Sequence, residues 1–445
     1  MIDDDISEAD YLRLLGYAGH EGAAVVSRGF RLFGFRKNRS LLYRFVFSLD
    51  YSGERTFAAV RSAHSALHIS PLLEGRMTWL PLLHTAALLK HCPIRGQVEA
   101  GGGSLTSKQL GVELMEALSR EMWSRAGKLS AELAQRGENE MLLSAIRAEA
   151  AVRYAASTRA YTVWNAVRCI GQSDAETLAL ASAAAVQSLE AEGPSQGYLA
   201  ARKRLSSEGI GGERLADNAD ELDDRNGRRL SEAIHSGIPE AALQVSVRLL
   251  REGVSLKAML GCISSAALEK SFSSDRKEQV APQIEGLAAM LEAASATDSP
   301  PEGAAAEVLT AAMEITSSPA EAGYRRIRES SSGIAEAVRR MNRGRAADIL
   351  WLIDNAKNNN ELDRLQTGIL FSSLKCDPGG VDDLSNVHTA SALIIGHRDG
   401  ELARRKSSLK ECADYIAAAR RGSKDCGHSL LDLAGVKSED EITEE

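Results

Sequence analysis

Apolar residues recur at every third or fourth position along most of the chain after Thr56, which is the spacing of one face of an α-helix. The same segments are rich in Ala, Leu, Glu and Arg, which lose little side-chain freedom in a helix. One such stripe comprises Leu110, Leu114, Leu118, Met122, Ala126, Leu129 and Leu133. The pattern predicts an all-α protein.

Helix start and stop patterns agree with this prediction. Thr106 with Gln109, and Ser173 with Glu176, have the spacing of a capping box, in which two side chains satisfy unpaired amides of the first helical turn. Glycine follows a polar helix end at four places, where it fits the left-handed residue that closes a helix. These glycines are Gly137, Gly237, Gly344 and Gly400. They predict helical hairpins packed into a bundle or an irregular helical array.

One stretch near the N-terminus has a different pattern. From Tyr43 to Asp50, aromatic or apolar residues alternate with mostly polar ones, which is typical of a half-buried strand. Residues 36–40, Arg-Lys-Asn-Arg-Ser, have the composition of a turn before that strand. The sequence therefore predicts a small N-terminal β-hairpin.

Chain length and linkers suggest the domain organisation. The 445 residues are enough for two or three domains, at about 150 residues each. Linker composition appears at 192–197, 206–226 and 298–303. We predict an N-terminal region, 1–100, with the β-hairpin and a His-bearing helix pair, and a helical domain, 104–205. A C-terminal helical domain with a weak internal repeat, 226–425, and an acidic disordered tail, 437–445, would follow.

Composition and charge narrow the class of protein. Hydrophobic residues make up 44% and charged residues 26%, and no apolar stretch approaches the length of a membrane span. The acidic start, Met1 to Asp5, lacks the positive charge and apolar run of a secretory signal, so we expect a cytoplasmic location. The six cysteines form no C-x-x-C pair, which argues against a zinc cluster. A net charge of −8 disfavours nucleic-acid binding by the molecule as a whole.

Histidines are the candidate metal ligands. His64 and His68 are four residues apart in a predicted helix, so their rings project from one face. His84 and His91 are seven apart, and Pro71 lies in the segment that would fold the second helix back on the first. The sequence predicts that these four imidazoles bind iron, zinc or a haem. The alternative is that they are hydrogen-bonded residues at helix boundaries with no ligand.

A short string recurs at helix starts. His84-Thr85-Ala86-Ala87-Leu88-Leu89 is matched by His388-Thr389-Ala390-Ser391-Ala392-Leu393 and, more loosely, by Tyr-Thr-Val-Trp-Asn-Ala-Val at 161–167. A His-Thr pair before small residues lets two helices approach closely with one imidazole at their interface. The recurrence fits a packing device equally well. In the catalytic interpretation, His388 is a candidate acid or base.

These helix starts resemble those of the questin-oxidase-like all-α family. The resemblance implies an all-helical fold and oxidative chemistry on aromatic polyketides. Relatives of that family are linked to Rieske-type iron–sulfur domains. The present chain departs from a Rieske protein, because it has no Cys-x-His paired with Cys-x-x-His; its C-x-H is Cys426-Gly427-His428.

Three functional hypotheses follow from the sequence. The first is a metal- or haem-dependent oxidoreductase, with iron or haem as cofactor, acting on a hydrophobic small molecule bound between helices. The second is a non-catalytic α-helical scaffold that binds a protein partner. The third uses the basic aromatic segment 28–47 to bind single-stranded nucleic acid or an anionic membrane surface. That segment would otherwise pack its aromatic face on the helical body and leave its basic rim solvated.

Overall fold

The fold is described from a computed structural model. It describes residues 6–17, 21–51, 54–89, 92–95, 100–101, 103–153, 159–170, 175–191, 193–216, 218–274, 277–296, 301–318, 330, 332–374, 385–397, 401–421 and 429–434. Within these ranges the chain is helical and has no β-strand. Extended pairing there is limited to two isolated bridges, Leu49 with Ile94 and Asp220 with Val254. The all-α prediction is confirmed.

Helices make up most of the described chain. In chain order they are α1 Glu8–Tyr17, α2 Gly22–Phe47, α3 Glu54–Ile69, α4 Leu80–Leu88, α5 Ser107–Ser119, α6 Trp123–Gln135, α7 Asn139–Arg153, α8 Arg159–Ile170, α9 Ala175–Glu190, α10 Gln196–Ser207, α11 Gly212–Ala216, α12 Asp224–His235, α13 Pro239–Arg251, α14 Leu256–Ser273, α15 Lys277–Ala296, α16 Pro301–Ser317, α17 Ile334–Met341, α18 Ala347–Asn355, α19 Asn359–Leu374, α20 Ser385–His397, α21 Leu402–Arg420 and α22 Ser429–Ala434. Two 3₁₀ turns, Ser70–Leu72 and Gly75–Trp79, connect α3 to α4.

Sequence patterns correctly predicted several helix ends. Gly137, Gly237 and Gly344 have φ of 76°, 73° and 79°, the left-handed conformation that closes α6, α12 and α17. The helices on either side of each glycine pack against each other. Thr106 forms the predicted capping box with Gln109 at the start of α5. Gly400 and Ser173 lie outside the described residues.

The predicted β-hairpin is not seen, because its residues up to Phe47 belong to helix α2. Phe45, Val46 and Phe47 are three consecutive buried residues. The alternation along the sequence therefore does not separate a buried face from a solvent-exposed face. Helix α2 packs against α1, α3, α4, α9 and α22, and these contacts bury consecutive residues near its C-terminal end. It bends at Gly34, whose φ of 74° and ψ of 169° interrupt the helical backbone.

The aromatic residues around this bend form a continuous stack. The rings of Phe30 and Trp79 lie 4.7 Å apart, and those of Phe30 and Phe35 lie 5.7 Å apart. An arginine covers each end, with Arg76 over Trp79 and Arg39 over Phe35. Cations over ring faces and stacked rings each stabilise by roughly 0.5–1.5 kcal/mol. The stack holds the two halves of α2 together across the bend.

Helices α3, α8, α15 and α20 pack in a closed ring in which each contacts the next. Helices α3 and α15 therefore face each other across the centre of a four-helix arrangement. The ring combines helices from all three predicted domains, 1–100, 104–205 and 226–425; that division stays a prediction. Helix α21 lies against α20, where a side chain on Gly396 would collide with Ser408. Among the described residues, no helix is long and apolar enough to cross a bilayer.

Candidate metal centre

Three helices of the ring direct matching faces toward one narrow cleft. Each face uses positions i, i+3, i+4 and often i+7, which lie on one side of a helix. The cleft is lined from α3 by Arg61, His64 and Ser65, from α15 by Glu285, Ala288, Ala289 and Glu292, and from α20 by Val387, Ala390, Ser391 and Ile394. His68 continues the α3 face by one further turn. Polar groups of α3 thus oppose carboxylates of α15 across the ring.

Three side chains converge at the outer end of this cleft. The Nε2 atom of His64 lies 3.2 Å from Oε2 of Glu292, and Nε2 of His68 lies 2.8 Å from Oε1 of the same carboxylate. One donor atom from each side chain falls within 4.8 Å of the others. We call His64, His68 and Glu292 the ligand triad. Within the described part of the chain it is the group of His, Cys, Asp and Glu side chains arranged closely enough to hold a metal ion.

The triad has the geometry of ligands around a metal. Among the described residues, neither imidazole Nε2 has a hydrogen-bond partner, and neither does Oε2 of Glu292. Metal bonds of about 2.0–2.2 Å separate neighbouring ligand atoms by roughly 3 Å, which matches the spacing found here.

Charge around the triad also favours a cation. Burial by itself would raise the pKa of Glu292, but the facing imidazoles of His64 and His68 outweigh it and hold that pKa well below its usual range. The carboxylate is therefore ionised, and together with two imidazole nitrogens it forms a donor set that a metal ion can use. The neighbouring cation, Arg61, is already paired with Glu285. Burial lowers the pKa of Arg61 to about 10, so this pair remains charged at neutral pH.

Exposure changes along the α3 face. The His64 side chain is 7% exposed, whereas that of His68 is 31% exposed. The triad is therefore open to solvent at His68 and closed at His64. On the closed side, the cleft has room for a water-sized group.

Helix α8 contributes a polar group on the fourth side of the ring. The Asn165 side chain is fully buried and donates from Nδ2 to the carbonyl oxygen of Ala289, at 2.8 Å. Its Oδ1 has no hydrogen-bond partner among the described residues. Ala289 lies one turn before Glu292 on α15. This hydrogen bond therefore fixes the position along α15 at which α8 packs against it.

The structure separates the predicted ligands. It brings His64 and His68 together with Glu292. His84 is buried in α4 and, within the described residues, is not a member of this group. His91 and the Cys426-Gly427-His428 string lie outside the described residues.

His388, the predicted acid or base, lies behind the cleft. Its Nε2 is 3.0 Å from Oε1 of Glu411 on α21, and both side chains are fully buried. Ser271 donates to the same carboxylate oxygen at 2.7 Å, and the ring of Tyr415 stacks on the imidazole at 4.0 Å. We call His388 and Glu411 the buried pair. Its imidazole faces α21, whereas neighbouring residues of α20 face the cleft.

Sequence reasoning missed Glu292. From Val280 to Ala296, helix α15 carries only two charged residues, Glu285 and Glu292, seven positions apart among Ala, Leu and Met. Two carboxylates on one face of an otherwise apolar helix need partners, and that spacing could have identified them. Nothing in the sequence indicates which distant helix supplies the partners.

Comparison of the chain with protein-family models, with curated proteins and with solved structures finds no match. The resemblance to the questin-oxidase-like family, based on short His-Thr-Ala strings, stays a prediction.

Proposed function

We propose that this chain is a metalloprotein in which His64, His68 and Glu292 hold one divalent metal ion. Its function is metal-dependent redox chemistry on a small molecule. The observation that carries the proposal is the convergence of three donor atoms that have no hydrogen-bond partners among the described residues. Side chains on facing helices of a four-helix arrangement commonly build metal sites in this way.

The donor set favours iron over hydrolytic zinc. Two histidines and one carboxylate with open positions are the ligands of many non-haem Fe(II) centres. The same donors also bind zinc in metalloproteases, but there the motif H-E-x-x-H supplies a glutamate beside the first histidine as general base. Here that position is Ser65, in the string His-Ser-Ala-Leu-His. A hydrolytic site would therefore lack its base.

The cleft dimensions favour an ion over a haem. The space beside His64 and Glu292 is water-sized and lined closely by Ala288, Ala289 and Ala390. A porphyrin needs a flat slot many times larger. The hydrophobic substrate predicted from the sequence would then approach from the His68 side, where the triad meets solvent.

Metal content tests the proposal directly. Purified protein is analysed by inductively coupled plasma mass spectrometry, and metal-free protein is titrated with Fe(II) under anaerobic conditions. We expect about one metal per chain. Removing a ligand should weaken binding by more than the roughly 10–100-fold cost of losing a group that only supports a ligand. His64→Ala and Glu292→Gln are the test variants.

Two further variants serve as controls. His235 is exposed and its Nδ1 lies 2.8 Å from its neighbour's carbonyl oxygen at Ser231, so His235→Ala should leave metal binding unchanged. His84→Ala distinguishes the triad from the four-histidine site predicted from sequence, and we expect it to retain metal. If all four variants bind metal as the wild type does, or if the wild type binds none, the proposal fails.

A second candidate function is binding of a protein partner. On helix α5, Val112 and Met115 are each 54% exposed, and Met122 just beyond the helix is 38% exposed. Val112 and Met115 are three residues apart and therefore lie on one face. Crosslinking and co-purification with the wild type, compared with Val112→Lys/Met115→Lys, test this function. Loss of a stoichiometric partner in the variant would support it, and retention would oppose it.

A further inference from the structure

The metal site has two sides that differ in size and polarity. Three protein donors leave at least one coordination position for an external ligand. The His68 side is open to solvent, whereas the other side of the triad faces the cleft between α3, α15 and α20. An external ligand on the cleft side must fit the space that these helices leave.

That space is defined by small residues. Ala288 and Ala289 on α15 face Ala390 on α20, and short side chains allow the two helices to pack closely. Val387, one turn before Ala390 on α20, and Ile394, one turn after it, also line the cleft. The remaining room accepts a group about the size of a water molecule. An organic substrate cannot enter there.

The cleft wall combines five apolar side chains with two serines, the Arg61–Glu285 pair and the triad residues His64 and Glu292. Ser391 contributes a hydroxyl, while Arg61 lies one turn from His64 and stays charged through its pair with Glu285. A small ligand that takes on negative charge when it binds a reduced metal would lie near that guanidinium. Neutral, weakly hydrated molecules also lie against the apolar side chains at little cost in desolvation.

We propose that the cleft side of this metal centre binds a diatomic molecule of the dioxygen class, and that it excludes larger ligands by the packing of α15 against α20. The inference rests on the proposed metal site and concerns ligand binding at that metal. The organic substrate and the diatomic ligand would therefore meet the metal from opposite sides.

Nitric oxide is the probe, because it is diatomic and gives a characteristic electron paramagnetic resonance spectrum with high-spin Fe(II). Iron-loaded protein is titrated with nitric oxide without oxygen, after its iron content has been measured. The wild type should bind nitric oxide at one per iron.

Filling the cleft should block the probe without removing the metal. In Ala390→Leu the added atoms occupy the cleft, and we expect nitric oxide affinity to fall at least about tenfold while iron content is unchanged. Ala392→Leu is the matched control, because Ala392 is on the same helix, is equally buried and does not line the cleft. It should bind nitric oxide as the wild type does. Circular dichroism checks folding of both.

Smaller changes keep the test decisive if Ala390→Leu does not fold. Ala390→Val should weaken nitric oxide binding less, and Val387→Ala should enlarge the cleft and admit methyl isocyanide that the wild type binds poorly. Unchanged nitric oxide affinity in iron-loaded Ala390→Leu or Ala390→Val would overturn the inference. Iron-loaded wild type without a nitric oxide adduct would also overturn it and leave the metal site standing. Absence of iron binding would instead refute the proposed function.

Discussion

The ligand triad and the buried pair are built from the same two residue types but have different surroundings. In the buried pair, His388 and Glu411 are fully buried, and the carboxylate accepts a hydrogen bond from Ser271. In the triad, His64 and Glu292 approach as closely, yet among the described residues their facing atoms make no hydrogen bond. The triad also reaches solvent through His68.

The difference shows why residue type alone does not identify a metal site. A buried carboxylate with hydrogen-bonded partners has its charge compensated inside the protein, and its contacts serve folding. A carboxylate that faces two imidazoles of one helix, at the end of a cleft open to solvent, places three donor atoms near a shared point. The first arrangement is expected to stabilise the protein and the second to bind a cation.

The largest effect is expected when the buried pair is broken. His388→Leu keeps the volume and leaves the buried Glu411 carboxylate without its imidazole, so the free energy of unfolding should fall by about 3–5 kcal/mol. Metal affinity should be unchanged. Chemical denaturation and a metal titration measure the two quantities. A variant as stable as the wild type, with weakened metal binding, would reverse the roles assigned to the two clusters.

Metal should stabilise the folded protein through the triad. At a free metal concentration 100 times Kd, the free energy of unfolding should rise by about 2.7 kcal/mol. Thermal unfolding with and without Fe(II), or with zinc in its place, measures this rise. The double variant His64→Ala/Glu292→Gln should show none of it. An equal rise in the double variant would mean that the metal binds elsewhere.

The hydroxyl beside the buried pair should contribute a smaller amount. Ser271→Ala removes the 2.7 Å hydrogen bond to Glu411, and we expect a loss of about 1 kcal/mol in the free energy of unfolding. Ser65→Ala is the comparison on the triad side, since Ser65 lines the cleft beside His64. A larger loss for Ser65→Ala than for Ser271→Ala would contradict the assignment of stability to the buried pair.

The smallest effect is expected for Glu292→Gln without metal. Burial alone would raise the pKa of Glu292, but the facing imidazoles hold it well below its usual range, and the carboxylate is ionised at pH 8. An amide of the same shape can still hydrogen-bond the two imidazoles, so we expect the free energy of unfolding to change by less than about 1 kcal/mol. Denaturation of metal-free protein at pH 8 tests this. A loss of several kcal/mol would show that Glu292 serves the fold.

The features that could be read from the sequence are those fixed by neighbours along the chain. The closing glycines Gly137, Gly237 and Gly344 follow from local backbone geometry. The shared face of His64 and His68 follows from a four-residue spacing within one helix. Each of these depends on a few consecutive residues and not on tertiary packing.

The features that could not be predicted depend on packing between distant segments. The alternation from Tyr43 to Asp50 indicated a strand, but α2 contacts five other helices and these contacts bury Phe45, Val46 and Phe47 in succession. Glu292 joins the triad only because α15 stands opposite α3 in the ring. No local rule states which helices face each other, so two of the three triad residues could be predicted from the sequence and Glu292 could not.

The ring that joins α3 to α15 has a consequence for the order in which the protein is made. Helices α4 to α14 lie between the two halves of the triad in the chain, and α20, which closes the cleft, is made later still. A nascent chain therefore contains His64 and His68 long before Glu292, the third residue of the triad, is synthesised. Contacts so distant in sequence form late and slow the search for the native state. Metal loading would then mark a finished molecule, and truncated chains would remain unloaded.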